Sequence, residues 1–199
     1  MGGKGRPQPG LVQRHQEGAG RQPARVRFDL PQQWPPPPAR ALVARATRVF
    51  RTLPAVDFSE TLASNEQTVV RSTWRLEAPN RLRYDIAGGG SAIVVGPRRW
   101  DRQPRGRWVE SPQDPLPQPT PPWGEVRVAD QYVLGPATLR GRRVLVVAFV
   151  DRALPIWYRA YVEPETGRTL ALDMTAAAHF MRDDYLRFGG PREIFPPRR

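Results

Sequence analysis

The chain contains a single convincing helix-forming stretch, about residues 39–53, and everything after it reads as strand and turn. In that stretch Leu42, Ala46, Val49, Phe50 and Leu53 fall at i, i+4, i+7, i+8 and i+11, an apolar stripe of helical period, with Arg45, Arg48 and Arg51 elsewhere. Pro54 stops it. Beyond it, apolar and polar residues alternate at strand period. Val56, Phe58 and Leu62 alternate with Asp57, Ser59 and Thr61; Val70, Trp74 and Leu76 with Arg71, Thr73 and Arg75. Leu82, Tyr84 and Ile86 face away from Arg81, Arg83 and Asp85, and turns fall at "SNE" (64–66), "APN" (78–80) and "GGG" (88–90). After "SAIVV" (91–95), "GPRRWDRQPRGRWVE" predicts a tight hairpin with Trp100 and Trp108 on neighbouring strands. A Pro-rich loop covers 111–123, and three further strands are predicted at about 143–150, 155–162 and 168–181, the last two joined at "PETG" (164–167).

One helix cannot cover a sheet of roughly eight strands unless the sheet curls around it. The expected fold class is therefore α+β: a strongly curved antiparallel sheet, an incomplete β-barrel, with the N-terminal amphipathic helix packed in its concave face. Residues 1–38, rich in Gly, Pro, Gln and Arg and ending in "WPPPP", lack the apolar spacing that would offset ordering entropy. They read as a disordered tail or linker, leaving residues 39–199 as the domain.

Composition excludes several classes of function. Without Cys there are no disulfides, thiolate nucleophiles or zinc-thiolate sites. No apolar run is long enough to span a bilayer and no signal peptide is readable, which, taken literally and with Met1 as the natural start, reads as cytoplasmic. A net charge of +12 invites a nucleic-acid reading, but the basic residues are scattered and almost all Arg, without the stripe interleaved with exposed aromatics that binding needs. No nucleic-acid partner and no cofactor are expected, and the chain is expected to be a monomer.

Catalytic constellations are missing as well. Outside the tail there is one His, no phosphate-cradling Gly loop and no HExxH spacing, and Asp183 and Asp184, adjacent on a strand, point to opposite faces. The chain reads as a non-enzyme. "MTAAAHFM" (174–181) holds two of the three Met and the one domain His. If residues 169–181 form one unbroken strand, Met174 shares a face with Leu172, Ala176, Ala178 and Phe180, while His179 and Met181 lie on the other. Two ligands make at best a weak soft-metal site, so no metal is expected. Ala176 and Ala178 put small side chains in the middle of the inward face. They either make room for the helix or leave an apolar cavity. The candidate lining of such a cavity is Leu42, Val49 and Phe50 from the helix; Phe58, Leu62, Trp74, Leu76 and Tyr84 from the early strands; and Ile156, Tyr158, Leu172, Met174, Ala176, Ala178 and Phe180 from the late ones. Glu60 falls on the same apolar face and must be paired, hydrated or protonated there.

Several strings, in this order and spacing, resemble the LolA/LolB/LppX–LprG superfamily of envelope lipid and lipoprotein carriers: "FSE" (58–60), "LEAPNRLRYDI" (76–86), "AIVVGPRRW" (92–100) and "IFPP" (194–197). "RWDRQPRGRWVESPQDPL", "PIWYRAYVEPETGRTLALDMTAAAHFM" and "DDYLRF" are similar to extracytoplasmic LolA-like domains of actinobacterial-type membrane proteins, some of them linked to copper-resistance D-type regions. The resemblance implies a cell-envelope, extracytoplasmic domain. It would bind a lipid acyl chain or a lipoprotein's lipid anchor between helix and sheet. The alternative it implies is a filled-core sensory or interaction domain, copper-linked, whose partner is a membrane protein of the same operon or the same longer chain. One departure concerns opening and closing. The carriers place Arg-Pro where this chain has Ala78-Pro79, and Ala78 cannot form that polar latch.

Overall fold

The helical stripe forms α1, Arg40–Arg51, in a computed structural model that describes residues 30–65, 67–124, 128–177 and 179–198. Val43, Ala46 and Phe50 are buried, whereas Arg40, Arg45, Arg48 and Arg51 face solvent. The buried stripe is thus rotated from the expected one, and Leu42 and Val49 are only half-buried at its margins. Arg48 and Arg51 in the last turn complement the helix dipole, and Arg45 donates to the carbonyls of Pro164 and Glu165 (2.7 Å each), fixing the helix to that turn.

The strands are β1 (Ala55–Ala63), β2 (Val69–Glu77), β3 (Arg81–Ile86), β4 (Ser91–Val95), β5 (Arg98–Arg102), β6 (Val109–Pro112), β7 (Val128–Leu139), β8 (Arg142–Asp151), β9 (Ile156–Val162), β10 (Thr169–Ala176) and β11 (His179–Phe188). They make one antiparallel eleven-stranded sheet in the order β6-β5-β4-β3-β2-β1-β11-β10-β9-β8-β7. The edges β6 and β7 do not pair with each other, so the sheet stays open and fits a half-barrel. Because β1 pairs with β11, the first and last strands sit in the middle, where the core is deepest. Val56, Phe58, Leu76, Tyr158, Leu172 and Tyr185 project from one face of the sheet into the cluster that includes Phe50 of α1 and Trp123 of the Pro-rich loop. Trp123 donates from Nε1 to Thr47 Oγ1 (2.9 Å), so its polar edge is satisfied while its rings are buried.

Four expectations change. First, β7 is a strand that alternation missed: Gly135-Pro136 interrupts it, its register shifts twice, and as an edge strand it tolerates both. Second, residues 168–181 are not one strand. Ala176 pairs with His179, so the chain reverses between them, and Ala178 itself lies outside the described residues. Third, Trp108 precedes β6, and Trp100 faces Glu110 instead, donating from Nε1 to Glu110 Oε2 (3.2 Å). Fourth, the segment before residue 39 engages the domain. Gln32 N–H donates to Leu134 O (2.8 Å), Val133 N–H donates to Pro37 O (2.7 Å), and Pro38 bridges Tyr132. Of the expected tail, residues 1–29 lie outside the described residues.

The outer face carries many arginines of the strands, several of them in ion pairs. Arg159 and Arg182 hold Asp173 at 2.6 and 2.9 Å, and Arg182 also holds Asp184 at 3.0 Å. There too the C-terminal segment is anchored. Ile194 packs on Ile93 and Trp100, and buried Arg192 pairs with Asp57.

Candidate functional site

Strand register defines the inner face. One row runs Leu62–Met181–Met174–Tyr158 across β1, β11, β10 and β9; the next runs Ser72–Glu60–Asp183–Leu172–Ala160 from β2 to β9. Residues opposite each other share a face. Met181 and His179 therefore lie on the inner face with Met174. The expectation that they point away from it fails because a chain reversal between Ala176 and His179 resets the alternation. For the same reason Phe180, paired with Thr175 and Ala63, leaves the inner face; it is 53% exposed on the outer one.

The inner face has two unlike halves. Toward α1 it is filled with rings. Phe50 meets Trp123 and Tyr185 edge-on (centroids 5.6 and 5.3 Å), Trp123 meets Phe149 (6.3 Å), and Phe149 stacks on Tyr158 (5.2 Å). Phe58 touches Tyr185 (5.3 Å) and stacks on Trp74 (5.8 Å), which meets Tyr84 (4.6 Å). Phe50, Phe58, Leu76, Tyr158 and Leu172 from the candidate lining are thus core residues. Val49 lies beside Gly167, in the turn before β10, where an added side chain would meet it. Ala176 ends the same strand far from that turn. So α1 does not close over Ala176.

Away from α1 the inner face stays partly open. Leu62, Ile156, Met174, Ala176 and Met181 are half-buried there, Val70 is 39% exposed and His179 is exposed, while Trp74 and Tyr84, the last rings of the filled half, are half-buried at its border. Trp74, Tyr84, Ile156, Met174 and Met181 still pack against the core, so the open surface is continuous with it.

Between the halves sits a small polar group. Glu60 Oε1 accepts from Ser72 Oγ (3.0 Å) and Trp74 Nε1 (3.3 Å), and Trp74 Nε1 also donates to Ser72 Oγ (2.8 Å). Cross-strand from Glu60 lies Asp183, 1% exposed, which accepts from Tyr185 OH at Oδ2 (3.1 Å). Its Oδ1 has no hydrogen-bond partner among the described residues. Burial, and secondarily the charge of Glu60, push the Asp183 carboxyl up to about 7. Burial, then Asp183, pushes the Tyr185 hydroxyl well above its ordinary value. A carboxyl that keeps its proton near neutrality can donate a hydrogen bond inside an apolar face. Glu60 was legible from alternation; its partner was not, because Asp183 is reached only across the β1–β11 pairing.

Two grooves elsewhere escaped the sequence reading. One of about 740 Å³ lies between Trp100, Trp108 and Pro196-Pro197 on the outer face. Another, of about 500 Å³, runs between α1, Trp123 and Val128. Among the described residues no three His, Asp or Glu are placed to hold a metal ion, and no helix is long and apolar enough to cross a membrane.

No protein-family model matches the chain, and no curated protein matches it in sequence. Solved structures do match in shape. The chain superposes on the lipoprotein LppX of Mycobacterium tuberculosis with a TM-score of 0.55 at 8% identity, covering 78% of this chain and 97% of that one. LprF from Mycobacterium bovis gives 0.53 at 11% identity, covering 80% and 96%. A chain of the MucA/MucB complex of Pseudomonas aeruginosa gives 0.50 at 13% identity, covering 78% of this chain but only 59% of that one. The fold is therefore like that of LppX and LprF.

Proposed function

We propose that this domain is a non-enzymatic binding protein of the cell envelope that takes an acyl chain along the open half of its inner face. The observation that carries the reading is the half-buried apolar row Leu62–Met181–Met174, continuous with the core and bordered by one polar group at Glu60 and Asp183. Ligand sites are typically apolar surfaces with a few placed polar groups. Each methylene buried there contributes roughly 0.8 kcal/mol, so a long chain reaches about micromolar affinity once ordering costs are subtracted. The likeness of fold to the lipoprotein LppX supports an extracytoplasmic setting.

A second reading rests on the filled half. Rings occupy the space between α1 and the sheet, and the fold also matches a chain of a protein–protein complex; both favour an interaction domain that holds no lipid. Titration with an environment-sensitive fluorescent fatty acid separates the two. Saturable binding, displaced by unlabelled fatty acid and weakened roughly tenfold, or about 1.4 kcal/mol, in Leu62→Gln supports the acyl reading. Unsaturable binding leaves the interaction domain.

A further inference from the structure

We infer that Met174, Met181 and His179 form a site for a soft monovalent metal ion, with Cu(I) as the ion their donors select. The inference is independent of acyl binding, although both use the open half of the inner face.

The argument begins with register. Met174 and Met181 are direct cross-strand partners, and Ala176 is the partner of His179. Opposed residues have Cβ atoms about 5 Å apart, and diagonal neighbours on the same face about 7 Å apart. His179 is diagonal to Met174 and two residues from Met181 on the same face, so the three side chains mark a small triangle. Met has three rotatable bonds and a polarizable sulfur, which lets two thioethers converge from such positions. The ring of His179 can close the third side.

Exposure is graded in the way a metal site requires. The two Met are half-buried and pack against the core, while His179 is exposed at the rim. An ion would enter past the imidazole and meet the sulfurs in a partly desolvated place. The next residues along the face are Leu62 beside Met181 and Tyr158 beside Met174, neither of which competes as a ligand for a soft ion. Thioether donors with one imidazole select Cu(I) over hard or borderline divalent ions, which want oxygen or more nitrogen. All three donors are neutral, so the ion keeps its positive charge. The nearest inward carboxylates, Glu60 and Asp183, lie one row away, about 7 Å along the strands. Glu60 can compensate a single charge at that distance without serving as a ligand, and Asp183 keeps its proton.

The bland explanation is that two Met merely fill irregular space at the margin of the core. It gives no role to the His beside them and predicts that Leu would serve equally. The experiment uses that difference. The full chain is titrated with Cu(I) under reducing, anaerobic conditions in competition with a chromophoric Cu(I) chelator. The same titration is run on the Met174→Leu/Met181→Leu double variant and on His179→Gln. Leu for Met conserves volume, and thermal unfolding confirms that the variants fold. The expected result is one equivalent of Cu(I) taken from the chelator by wild type, affinity lowered roughly tenfold in His179→Gln, and no competition by the double variant. X-ray absorption of the loaded protein should show sulfur scatterers. Wild type failing to compete, or a folded double variant binding like wild type, overturns the inference. The second outcome would place any copper on groups that variant retains, His179, His15 or Met1 among them, and not on the paired thioethers.

Discussion

The two halves of the inner face are built from the same strands and differ in what covers them. Near α1, Phe50, Trp123 and Tyr185 close over Val56, Phe58 and Leu172, and little of any of them reaches water. Farther along β1, β10 and β11, Leu62, Met174 and Met181 continue the same apolar rows, and among the described residues no helix lies above them. A twelve-residue helix, about 18 Å long, cannot shield a face made by strands of nine and ten residues, about 30 Å long. Stability is therefore concentrated in one half, and exposed apolar area, the raw material of recognition, in the other.

The comparison breaks most visibly under truncation. Phe50→Ala, in the filled half, is expected to cost about 3–5 kcal/mol in urea unfolding, while Met174→Ala in the open half costs roughly 1 kcal/mol. Equal losses would mean that the open half is packed as tightly as the filled one.

Asp183 sharpens the border between them. Its carboxyl stays protonated in the folded chain up to about pH 7 and ionises near pH 4 when unfolded. Its contribution to stability is therefore full below about pH 4 and is lost as pH rises through about 7, at up to roughly 1.4 kcal/mol per unit. Asp183→Asn should flatten that part of the pH–stability curve and stabilise the chain by about 2 kcal/mol or more at pH 8, with little effect at pH 4. An unchanged curve would show that water reaches this carboxyl and that the polar group belongs to the open half.

A smaller effect is expected from Trp74→Phe. The ring's stacking on Phe58 is kept, while Nε1 no longer donates to Glu60 and Ser72. A loss of about 1 kcal/mol is expected. A loss near zero would mean that solvent replaces both hydrogen bonds, so that the open half begins at Trp74.

Much of this was legible in the sequence because side-chain alternation is a local signal. β2 carries the alternation of Val70, Trp74 and Leu76 with Arg71, Thr73 and Arg75, β4 coincides with "SAIVV" (91–95), and alternation puts the Glu60 carboxylate on an apolar face. What failed was non-local or depended on a reversal. "AAAH" carries no Gly, Pro or Asn to mark a turn, so β10 and β11 read as one strand and Phe180 was placed inward in exchange for Met181 and His179. β7 was hidden by Gly135-Pro136, a pair that usually ends a strand but is tolerated at an edge. The halves themselves could not be read, since the position of α1 along the strands is set by contacts of Phe50 with Tyr185 and of Arg45 with the Pro164–Glu165 carbonyls, all distant in sequence.

Methionine methyl NMR tests the central claim most directly, because the domain's only two Met, Met174 and Met181, both lie on the open half. With 13C-methyl-labelled Met, addition of a long-chain fatty acid should shift both domain resonances together and saturably. The Met1 signal should stay in place. Saturable probe binding that leaves both methyl signals unmoved would put the ligand elsewhere, in the Trp100–Trp108 groove for example, and would contradict the assignment of recognition to the open half.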